Sequence, residues 1–354
     1  MLLSRAAKEI LIKAVAQSIP TYTMSVFQLP LKLCDELDAL CAKFWWGQVG
    51  NERKIHWKSW DKLTSSKKEG GMGFQDLRAF NLAMLANQGW RMVQCKDSLL
   101  YQYFKSRYFP RSSFLDAKES PNCSYVWRSL MATQPILKSG HCWRVGNGNS
   151  INALKDRWIP NYLANKILHL VHENLDEMLV SNLINLELHV WRNEEIMFTF
   201  HREEAEAICK IPLSRRNVND AIIWLHISKG TFTVKLAYHV ARKLQTDGNW
   251  AGTSRGCARK NIWAAIWNLR LPNKIKVFEW RACHDILPTS ENLIRMKVVH
   301  ENKRPICTRE SKSTIHALWG CAAALDIWAG SIRTLQKGRH GQSDMMQLME
   351  DLLE

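Results

Sequence analysis

The sequence lacks long apolar runs and has fewer acidic than basic residues. The first deficit argues against a membrane protein, and the second gives the chain a positive net charge. No stretch approaches the roughly 18 consecutive apolar residues that a membrane-spanning helix needs. The start, MLLSRAAKEI, is charged from Arg5 onward and has no uninterrupted apolar core of a secretory signal. We therefore expect no membrane partner and no secretion. Aspartate and glutamate number 33 against 49 lysines and arginines, which gives a formal net charge of +16.

A paired-cysteine framework is also lacking. The ten cysteines stand at irregular spacing, which predicts reduced thiols in the cytoplasm or the nucleus without choosing between the two. What the chain has in excess is tryptophan. Its 16 tryptophans supply bulky anchors for protein cores or for base stacking, and most are expected in cores.

The positive charge is concentrated at the two ends of the chain. The formal charge is +11 over residues 1–159, −1 over residues 160–249 and +6 over residues 250–354. Basic flanks of this kind predict a polyanionic partner, RNA or DNA, because lysine and arginine placed on phosphates release condensed counterions. General solubility is the alternative explanation, and charge alone does not decide between them.

Most of the chain is predicted to be helical. Ser4 is a suitable N-cap for a first helix that Pro20 bounds, and a second helix runs from near Pro30 to Gly47. A third is predicted from about Asp76 to Val93. The second helix has an apolar stripe that must pack on something, formed by Leu33, Leu37, Leu40, Cys41, Phe44 and Trp45.

Two short stretches have extended rather than helical patterns. In WRVGNGNSI, the pair Asn147-Gly148 suits a type I′ turn and predicts a β-hairpin. A second strand pair is predicted for Ile222–Leu225 and Thr231–Val234. The predicted fold class is therefore mainly α with small β-hairpins (α+β).

Two segments mix basic and aromatic residues, as a surface that follows a nucleic-acid backbone and stacks on bases does. A solvated helix and loop is the alternative for the first of them. The candidate nucleic-acid contacts are Lys54, Trp57, Lys58, Trp60, Lys62, Lys67 and Lys68 in the first segment, and Lys105, Arg107 and Arg111 in the second.

A third pattern, near the C-terminus, is a candidate metal site. Cys307, His316 and Cys321 are residue types that bind zinc, and Gly320 allows a helix to end so that Cys321 can turn inward. A histidine on a tryptophan-bearing helix is otherwise a hydrogen-bonded core residue, and that alternative stays open.

The segments IWNLRLPNKIKVFEWRACHDILPT and ICTRESKSTIHALWGCAAALDIW resemble the reverse-transcriptase zinc-binding domain of plant non-LTR (LINE-type) retrotransposon polyproteins. The upstream motifs KIHWKSWDKL, SYVWRSL, WRVGNGNSI and DRWIP are similar to the region that follows the polymerase palm in the same polyproteins. The resemblance covers nearly the whole chain. It implies a helical, basic, thumb-like region at 1–140, a hairpin-containing connector at 141–250, a helical zinc-binding-like domain at 257–335, and a tail or helix at 336–354.

The resemblance also implies a zinc ligand set, and this sequence departs from it at one position. The family's pattern is a C-x-x-C pair, then His, then Cys, which places ligands at Cys307, His316 and Cys321 but finds Arg304 where the first cysteine belongs. A cation at that position repels Zn²⁺. Water, Glu310 or His300 are alternatives for the fourth ligand, so Zn²⁺ is expected as a cofactor of an incomplete site.

The family's polymerases need adjacent aspartates to hold two metal ions, and no Asp-Asp pair occurs in this sequence. The resemblance implies that a ribonuclease H-like segment, where present, follows the zinc region. We therefore expect a non-catalytic polyprotein part that binds RNA or DNA with low specificity, and that could receive a polymerase palm in trans. The alternative is a protein-interaction or scaffold module without a nucleic-acid role and with its zinc site lost. A metal-dependent nuclease is disfavoured because no carboxylates have metal-site spacing.

Overall fold

The computed structural model describes residues 3–160, 167, 178–185, 187–216, 218–225, 227, 230–246, 256–299, 313–330 and 343–353. The chain forms two compact units. The terminal unit comprises Met1–Pro20, Pro30–Leu77 and Ala251–Glu354, and the middle unit comprises Thr21–Leu29 and Arg78–Trp250. Of the four segments expected from the sequence, 1–140 contributes to both units, 141–250 belongs to the middle unit, and 257–335 and 336–354 belong to the terminal unit.

Helices dominate the described residues, with two small antiparallel strand pairs, which confirms the predicted fold class. The helices are α1 (Arg5–Leu11), α2 (Thr21–Met24), α3 (Leu31–Trp46), α4 (Trp60–Thr64), α5 (Leu77–Gln94), α6 (Leu99–Tyr108), α7 (Tyr125–Met131), α8 (Gln134–Gly140), α9 (Asn193–Thr199), α10 (Arg202–Cys209), α11 (Val234–Thr246), α12 (Gly256–Asn268), α13 (Asn273–Cys283), α14 (Ser290–Arg295), α15 (Ala322–Ala329) and α16 (Met345–Leu353). The strands are β1 (His141–Arg144), β2 (Ile184–Asn185), β3 (Val190–Trp191) and β4 (Ala221–Trp224).

The early helices begin and end at the residues that the sequence indicates. The Ser4 hydroxyl accepts a hydrogen bond from the Ala7 N–H at 3.2 Å and so caps α1. Helix α3 starts after Pro30 and ends at Gly47, whose φ of +80° is a left-handed conformation that favours glycine. The predicted helix from Asp76 to Val93 is α5.

Trp280 lies at the centre of the terminal unit. Its side chain is fully buried, and its Nε1 donates a hydrogen bond to the Gly70 carbonyl oxygen at 2.9 Å. This close approach needs small residues: a Cβ on Gly70 would lie 2.8 Å from Trp263 Nε1, and one on Gly71 would lie 2.0 Å from the Ser65 carbonyl oxygen. The glycine run therefore lets the tryptophans of α12 and α13 pack on residues 63–74.

A buried carboxylate adds an electrostatic contact to the same unit. Glu9 is 5% exposed, and its Oε1 lies 2.8 Å from both Lys13 Nζ and Lys67 Nζ. Lys13 also donates to the Met72 carbonyl oxygen at 2.7 Å. Two cations on one buried carboxylate offset its desolvation and tie α1 to the loop that precedes the glycine run.

The middle unit has two apolar clusters. In the first, the fully buried Trp127 of α7 stacks on Tyr108 with ring centroids 4.8 Å apart and on Phe109 at 5.4 Å. The second cluster is centred on Trp158 and Trp191. Large aromatic side chains of this kind bury much apolar area and hold the short helices together.

Asn81 of α5 fixes the position of residues 21–29 in the middle unit. The buried side chain accepts a hydrogen bond from the Leu29 N–H at 2.7 Å, and it donates to the carbonyl oxygens of Met24 at 2.9 Å and Phe27 at 2.8 Å. These backbone groups would otherwise lack partners in the interior, so Asn81 stabilises a segment that has only one turn of helix.

The predicted hairpin around Asn147-Gly148 is wrong. Strand β1 instead pairs antiparallel with the distant β4, with His141 opposite Trp224 and Arg144 opposite Ala221. The Asp220 carboxylate accepts hydrogen bonds from the N–H groups of Gly146, Gly148 and Ser150 at 2.7 to 2.9 Å. It therefore closes residues 146–150 into a loop and leaves no second strand there.

The predicted pairing of Ile222–Leu225 with Thr231–Val234 is also wrong. Residues 221–224 do form a strand, but their partner is β1. One hydrogen bond joins the Trp224 N–H to the Gly230 carbonyl oxygen at 2.8 Å, and α11 starts at Val234. Among the described residues, one hairpin joins β2 to β3, with Ile184 opposite Trp191, and no turn motif in the sequence indicates it.

The helices of the described ranges are too short or too polar for a bilayer. None combines the length with the apolar character that crossing a membrane requires.

Candidate functional site

Two of the three predicted zinc ligands stand at the two ends of one helical turn. His316 starts a π-helical turn that ends at Gly320, and Cys321 precedes the first residue of α15. The Cys321 N–H donates to the His316 carbonyl oxygen at 2.8 Å, and a Cβ on Gly320 would lie 3.8 Å from His316 Nδ1. The local backbone therefore holds the imidazole beside the end of the turn from which Cys321 begins.

The remaining members of the predicted site lie outside the described residues. These are Cys307, Arg304, and the alternatives His300 and Glu310. Among the residues that the structure describes, no three His, Cys, Asp or Glu side chains come together as metal ligands. One imidazole and one thiol fit the nitrogen and sulfur donors that zinc prefers, so this half of the site fits the metal and the full ligand set stays a prediction.

This helical turn is held by contacts that do not involve a metal. Trp319 and Trp328 pack with ring centroids 5.1 Å apart, and Trp328 Nε1 donates to the Leu318 carbonyl oxygen at 2.9 Å. The Thr314 hydroxyl donates to Asp285 at 2.5 Å. These contacts give His316 and Cys321 a fixed backbone, as a structural metal site requires.

The aromatic residues of the first basic segment face the protein interior. Trp57 and Trp60 are half-buried and pack on the core of the terminal unit, where Trp60 stacks on Phe74 with ring centroids 4.9 Å apart. Their packing explains why tryptophans recur in this segment. Either tryptophan ring could stack on a base only after leaving that core.

The half-buried Lys58 side chain also points into the terminal unit, where it contacts His284. His284 lies against the Trp263 ring at 4.4 Å, and its Nε2 lies 2.6 Å from the Gly70 carbonyl oxygen, which makes Nε2 the donor and Nδ1 an acceptor. Lys58 Nζ lies 2.8 Å from that Nδ1. Burial, and then the Lys58 charge, lower the pKa of His284 to about 3. Burial and the nearby Lys62 lower the pKa of Lys58 to about 8.

The other lysines of this segment divide into two groups. Lys67 pairs with Glu9 and lies 3.9 Å from the centroid of the Trp267 ring, a cation–π distance. Lys54, Lys62 and Lys68 are exposed, and Lys54 lies 3.1 Å from Glu52. Three of the seven predicted contacts in this segment are therefore exposed charges that can reach a phosphate.

The second basic segment borders a cavity. Arg107 and Arg111 are exposed on and after α6, whereas Lys105 is half-buried and donates to the Ser112 carbonyl oxygen at 2.7 Å. Lys105 lines a cavity of about 640 Å³ in the middle unit. Four further cations, Lys96, Lys138, Lys155 and Arg157, line the same cavity. Sequence reasoning missed these four, because no local pattern brings together residues from separate helices and loops.

Comparison with known proteins finds a matching family for the C-terminal helices and relatives that cover more of the chain. A family model described as zinc-binding in reverse transcriptase matches residues 232–328. The "Putative ribonuclease H protein At1g65750" of Arabidopsis thaliana is 26% identical over 332 residues, which are 92% of this chain and 52% of that protein. The "Uncharacterized mitochondrial protein AtMg00310" of Arabidopsis thaliana is 40% identical over 143 residues, which are 40% of this chain and 93% of that protein. The chain thus spans about half the length of the first relative.

His316 and Cys321 both lie within residues 232–328, the part of the chain that matches the family described as zinc-binding in reverse transcriptase. The chain belongs to the family of plant non-LTR retrotransposon polyproteins, in the region downstream of the polymerase palm. The predicted resemblance is confirmed.

Proposed function

We propose that this chain is a non-catalytic part of a retroelement polyprotein that binds RNA or DNA through phosphates, with low sequence specificity. The observation that carries the proposal is the net charge of +16, most of which falls in residues 1–159. Each lysine or arginine placed on a phosphate releases a condensed counterion, so such a surface binds polyanions without reading their sequence.

The exposed members of the predicted contact set support this function. Lys54, Lys62 and Lys68 in the terminal unit, and Arg107 and Arg111 in the middle unit, present their charges to solvent. Phosphate contacts of this kind position a nucleic acid without specifying bases. Affinity should therefore depend on strand charge and length rather than on sequence.

The absence of polymerase activity is part of the proposal. A two-metal polymerase needs adjacent carboxylates, and the sequence has no Asp-Asp pair. The name of one relative refers to ribonuclease H, but that relative is about twice as long as the part matched here. Nuclease activity also needs a cluster of carboxylates, and the described residues contain none with three members.

Zinc has a structural rather than a catalytic role in this proposal. Cys307, His316 and Cys321 would hold the ion, and the Arg304 charge would weaken its binding. A polymerase palm supplied in trans stays a proposed partner of the same chain.

Fluorescence anisotropy with labelled single-stranded DNA and RNA–DNA hybrids at low salt tests the proposal. We expect dissociation constants of about 10⁻⁶ M or tighter at low salt, weakening to about 10⁻⁶ to 10⁻⁴ M at physiological salt, and similar for oligonucleotides of different sequence. Primer extension by the same preparation, with magnesium or manganese, should give no product above a blank. Absence of binding at low salt, or template-dependent incorporation, would contradict the proposal.

An apolar seam on α3 favours a second candidate function, which is association with a second copy of the chain. Cys34, Cys41 and Trp45 on one face of α3 are buried in the terminal unit. The neighbouring face, about a quarter turn around the helix, carries Leu33, Leu37, Leu40 and Phe44, of which Leu40 is 59% exposed and Leu37 is half-buried. Their spacing of four, three and four residues is the a/d pattern of a coiled-coil seam.

The charges beside the seam fit a second copy of α3 in antiparallel orientation. Glu36 and Lys43 both occupy the position that precedes an a residue, one heptad apart. In an antiparallel pair these positions face each other across the seam, so Glu36 of each copy would lie near Lys43 of the other. The seam covers about 12 residues, or roughly 18 Å at 1.5 Å per residue, so the dimer should be weak.

Sedimentation velocity over a range of protein concentrations tests this pairing. Leu40→Glu should abolish concentration-dependent dimerisation, whereas Leu99→Glu, at a residue 85% exposed on α6, should not change it. Lys43→Glu should weaken the dimer, and Glu36→Lys combined with Lys43→Glu should restore it, because the exchange keeps opposite charges facing each other. A chain that stays monomeric at all concentrations, or a dimer that Leu40→Glu leaves intact, would exclude this candidate.

A further inference from the structure

We propose that the cavity of the middle unit is a binding site for the phosphates of single-stranded nucleic acid. The cavity has a volume of about 640 Å³ and lies between the end of α5, α6, the loop at 112–116, the start of β1 and residues 150–157. This inference rests on the proposed function and assigns it a place. Besides Lys105, the cavity is lined by Lys96, Lys138, Lys155 and Arg157. None of these four belongs to either basic segment of the sequence.

The charge of the cavity is positive. Lys96, Lys138 and Lys155 are exposed at its rim, and Lys105 and Arg157 are half-buried in its wall. The two carboxylates in the lining already accept hydrogen bonds from neighbouring groups. Asp116 accepts from the Ser113 hydroxyl at 2.6 Å, and Asp156 accepts from the Asn152 N–H at 2.7 Å. The excess of cations in a concave site focuses positive potential on an entering anion.

Two half-buried cavity residues are held in place by backbone contacts. The Arg157 guanidinium donates to the Lys138 carbonyl oxygen, and the Arg157 carbonyl oxygen accepts from the Trp143 N–H at 2.7 Å. Burial lowers the pKa of His141, whose Nδ1 lies 2.9 Å from the Leu137 carbonyl oxygen, so the ring is neutral at pH 7. His141 therefore adds a polar wall and no charge, and the five lysine and arginine side chains supply the attraction.

Two aromatic rings make a nucleic-acid strand a better fit than isolated phosphate. Tyr101 and Trp143 line the same cavity and are half-buried, so each keeps part of its ring at the cavity surface. Aromatic rings beside cations are the arrangement that binds single strands, where phosphates meet the charges and bases stack on the rings. A cavity of this volume is too small to enclose a duplex, whose major groove alone is about 12 Å wide and about 8.5 Å deep.

A pair of matched double variants tests the site. Lys138→Ala with Lys155→Ala removes two rim charges of the cavity. Lys210→Ala with Lys235→Ala removes two exposed charges of the same unit that do not line the cavity. Affinity for a single-stranded oligonucleotide is measured for each across a salt series. We expect the slope of log K against log salt to become less negative by about 1.4 in the cavity variant, which is roughly 0.7 for each lost phosphate contact. The control should leave the slope nearly unchanged.

The outcomes separate this inference from the proposed function. If the unaltered chain binds no oligonucleotide, the proposed function fails and the cavity has no such role. If the chain binds but the cavity variant behaves as the control does, this inference fails while the proposed function stands. Competition identifies the ligand: displacement by inorganic phosphate or a mononucleotide at the phosphate concentration of the oligonucleotide would mean isolated phosphates, and would overturn the assignment to a strand. Thermal melts of both variants, expected to match the unaltered chain, confirm that the charges and not the fold have changed.

Discussion

Arg304→Cys is expected to convert a chain that loses zinc on dialysis into one that retains one zinc ion per molecule. The substitution removes a cation that repels the metal and adds the thiolate that completes a Cys-Cys-His-Cys set. Two of the ligands, His316 and Cys321, lie at the two ends of one helical turn. Structural zinc of this type contributes about 10 kcal/mol or more of apparent binding free energy at neutral pH.

Arg304→Ser is the matched control, because it removes the charge without supplying a ligand. Elemental analysis should find the least zinc in the unaltered chain, slightly more or the same in the serine variant, and far more in the cysteine variant. A chelator should lower the unfolding midpoint most in the cysteine variant. Equal zinc content in the unaltered and cysteine forms would contradict the account. Zero in both would mean that Cys307 and Cys321 are core thiols beside His316. One in both would mean that another group, such as His300 or Glu310, already completes the site.

Trp280→Ala is expected to destabilise the terminal unit by about 3 to 5 kcal/mol, the usual cost of deleting a large buried aromatic side chain. Trp280 is fully buried, and its Nε1 bonds to a carbonyl oxygen 210 residues earlier in the chain. Its loss leaves a cavity between α13 and the glycine run and removes one partner of the Gly70 oxygen. Denaturant unfolding followed by circular dichroism should show the effect as a lower midpoint of the transition that belongs to this unit.

Phe278→Ala is the control on the same helix, because Phe278 is 43% exposed and has less area to lose. Its effect should stay near 1 kcal/mol, in line with partial burial. Similar midpoints for the two alanine variants would show that Trp280 does not anchor the core. Trp280→Phe should fall between them, since it keeps part of the ring volume and loses the hydrogen bond.

Helix positions could be predicted from the sequence because their signals are local. Pro30, Gly47 and the Ser4 cap mark ends through backbone geometry that depends on few neighbours. The apolar stripe of α3 shows where this reasoning stops. The whole stripe is predicted to pack on another part of the protein, but Cys41 and Trp45 are buried while Leu33, Leu40 and Phe44 are 39%, 59% and 38% exposed. Periodicity shows that a helix surface is apolar and does not show which part of it has a neighbour.

The strand pairings could not be predicted because their determinants are distant in sequence. Asn147-Gly148 has the composition of a hairpin turn, yet Asp220 takes the N–H groups of that loop, and β1 pairs with a strand about 80 residues away. A turn motif reports local backbone preference, and a ladder needs a partner that only the folded chain supplies.

The candidate nucleic-acid contacts show the same limit. Lysines and tryptophans between residues 54 and 68 have the composition of a binding surface, but the tryptophans and Lys58 pack in the interior. The cavity of the middle unit has no local signature, because Lys96, Lys138 and Lys155 are brought together only by the packing of α5, α8 and the loop after β1. Composition predicted a partner class, and only tertiary structure indicates where that partner fits.

The salt dependence of oligonucleotide binding by the unaltered chain tests the central claim most directly. Affinity for a single-stranded oligonucleotide, measured between about 50 and 200 mM salt, should fall steeply, with a slope of log K against log salt of about −3 for roughly four phosphate contacts. A slope near zero, with binding retained at the highest salt, would mean apolar association and would contradict a phosphate-binding role for this chain.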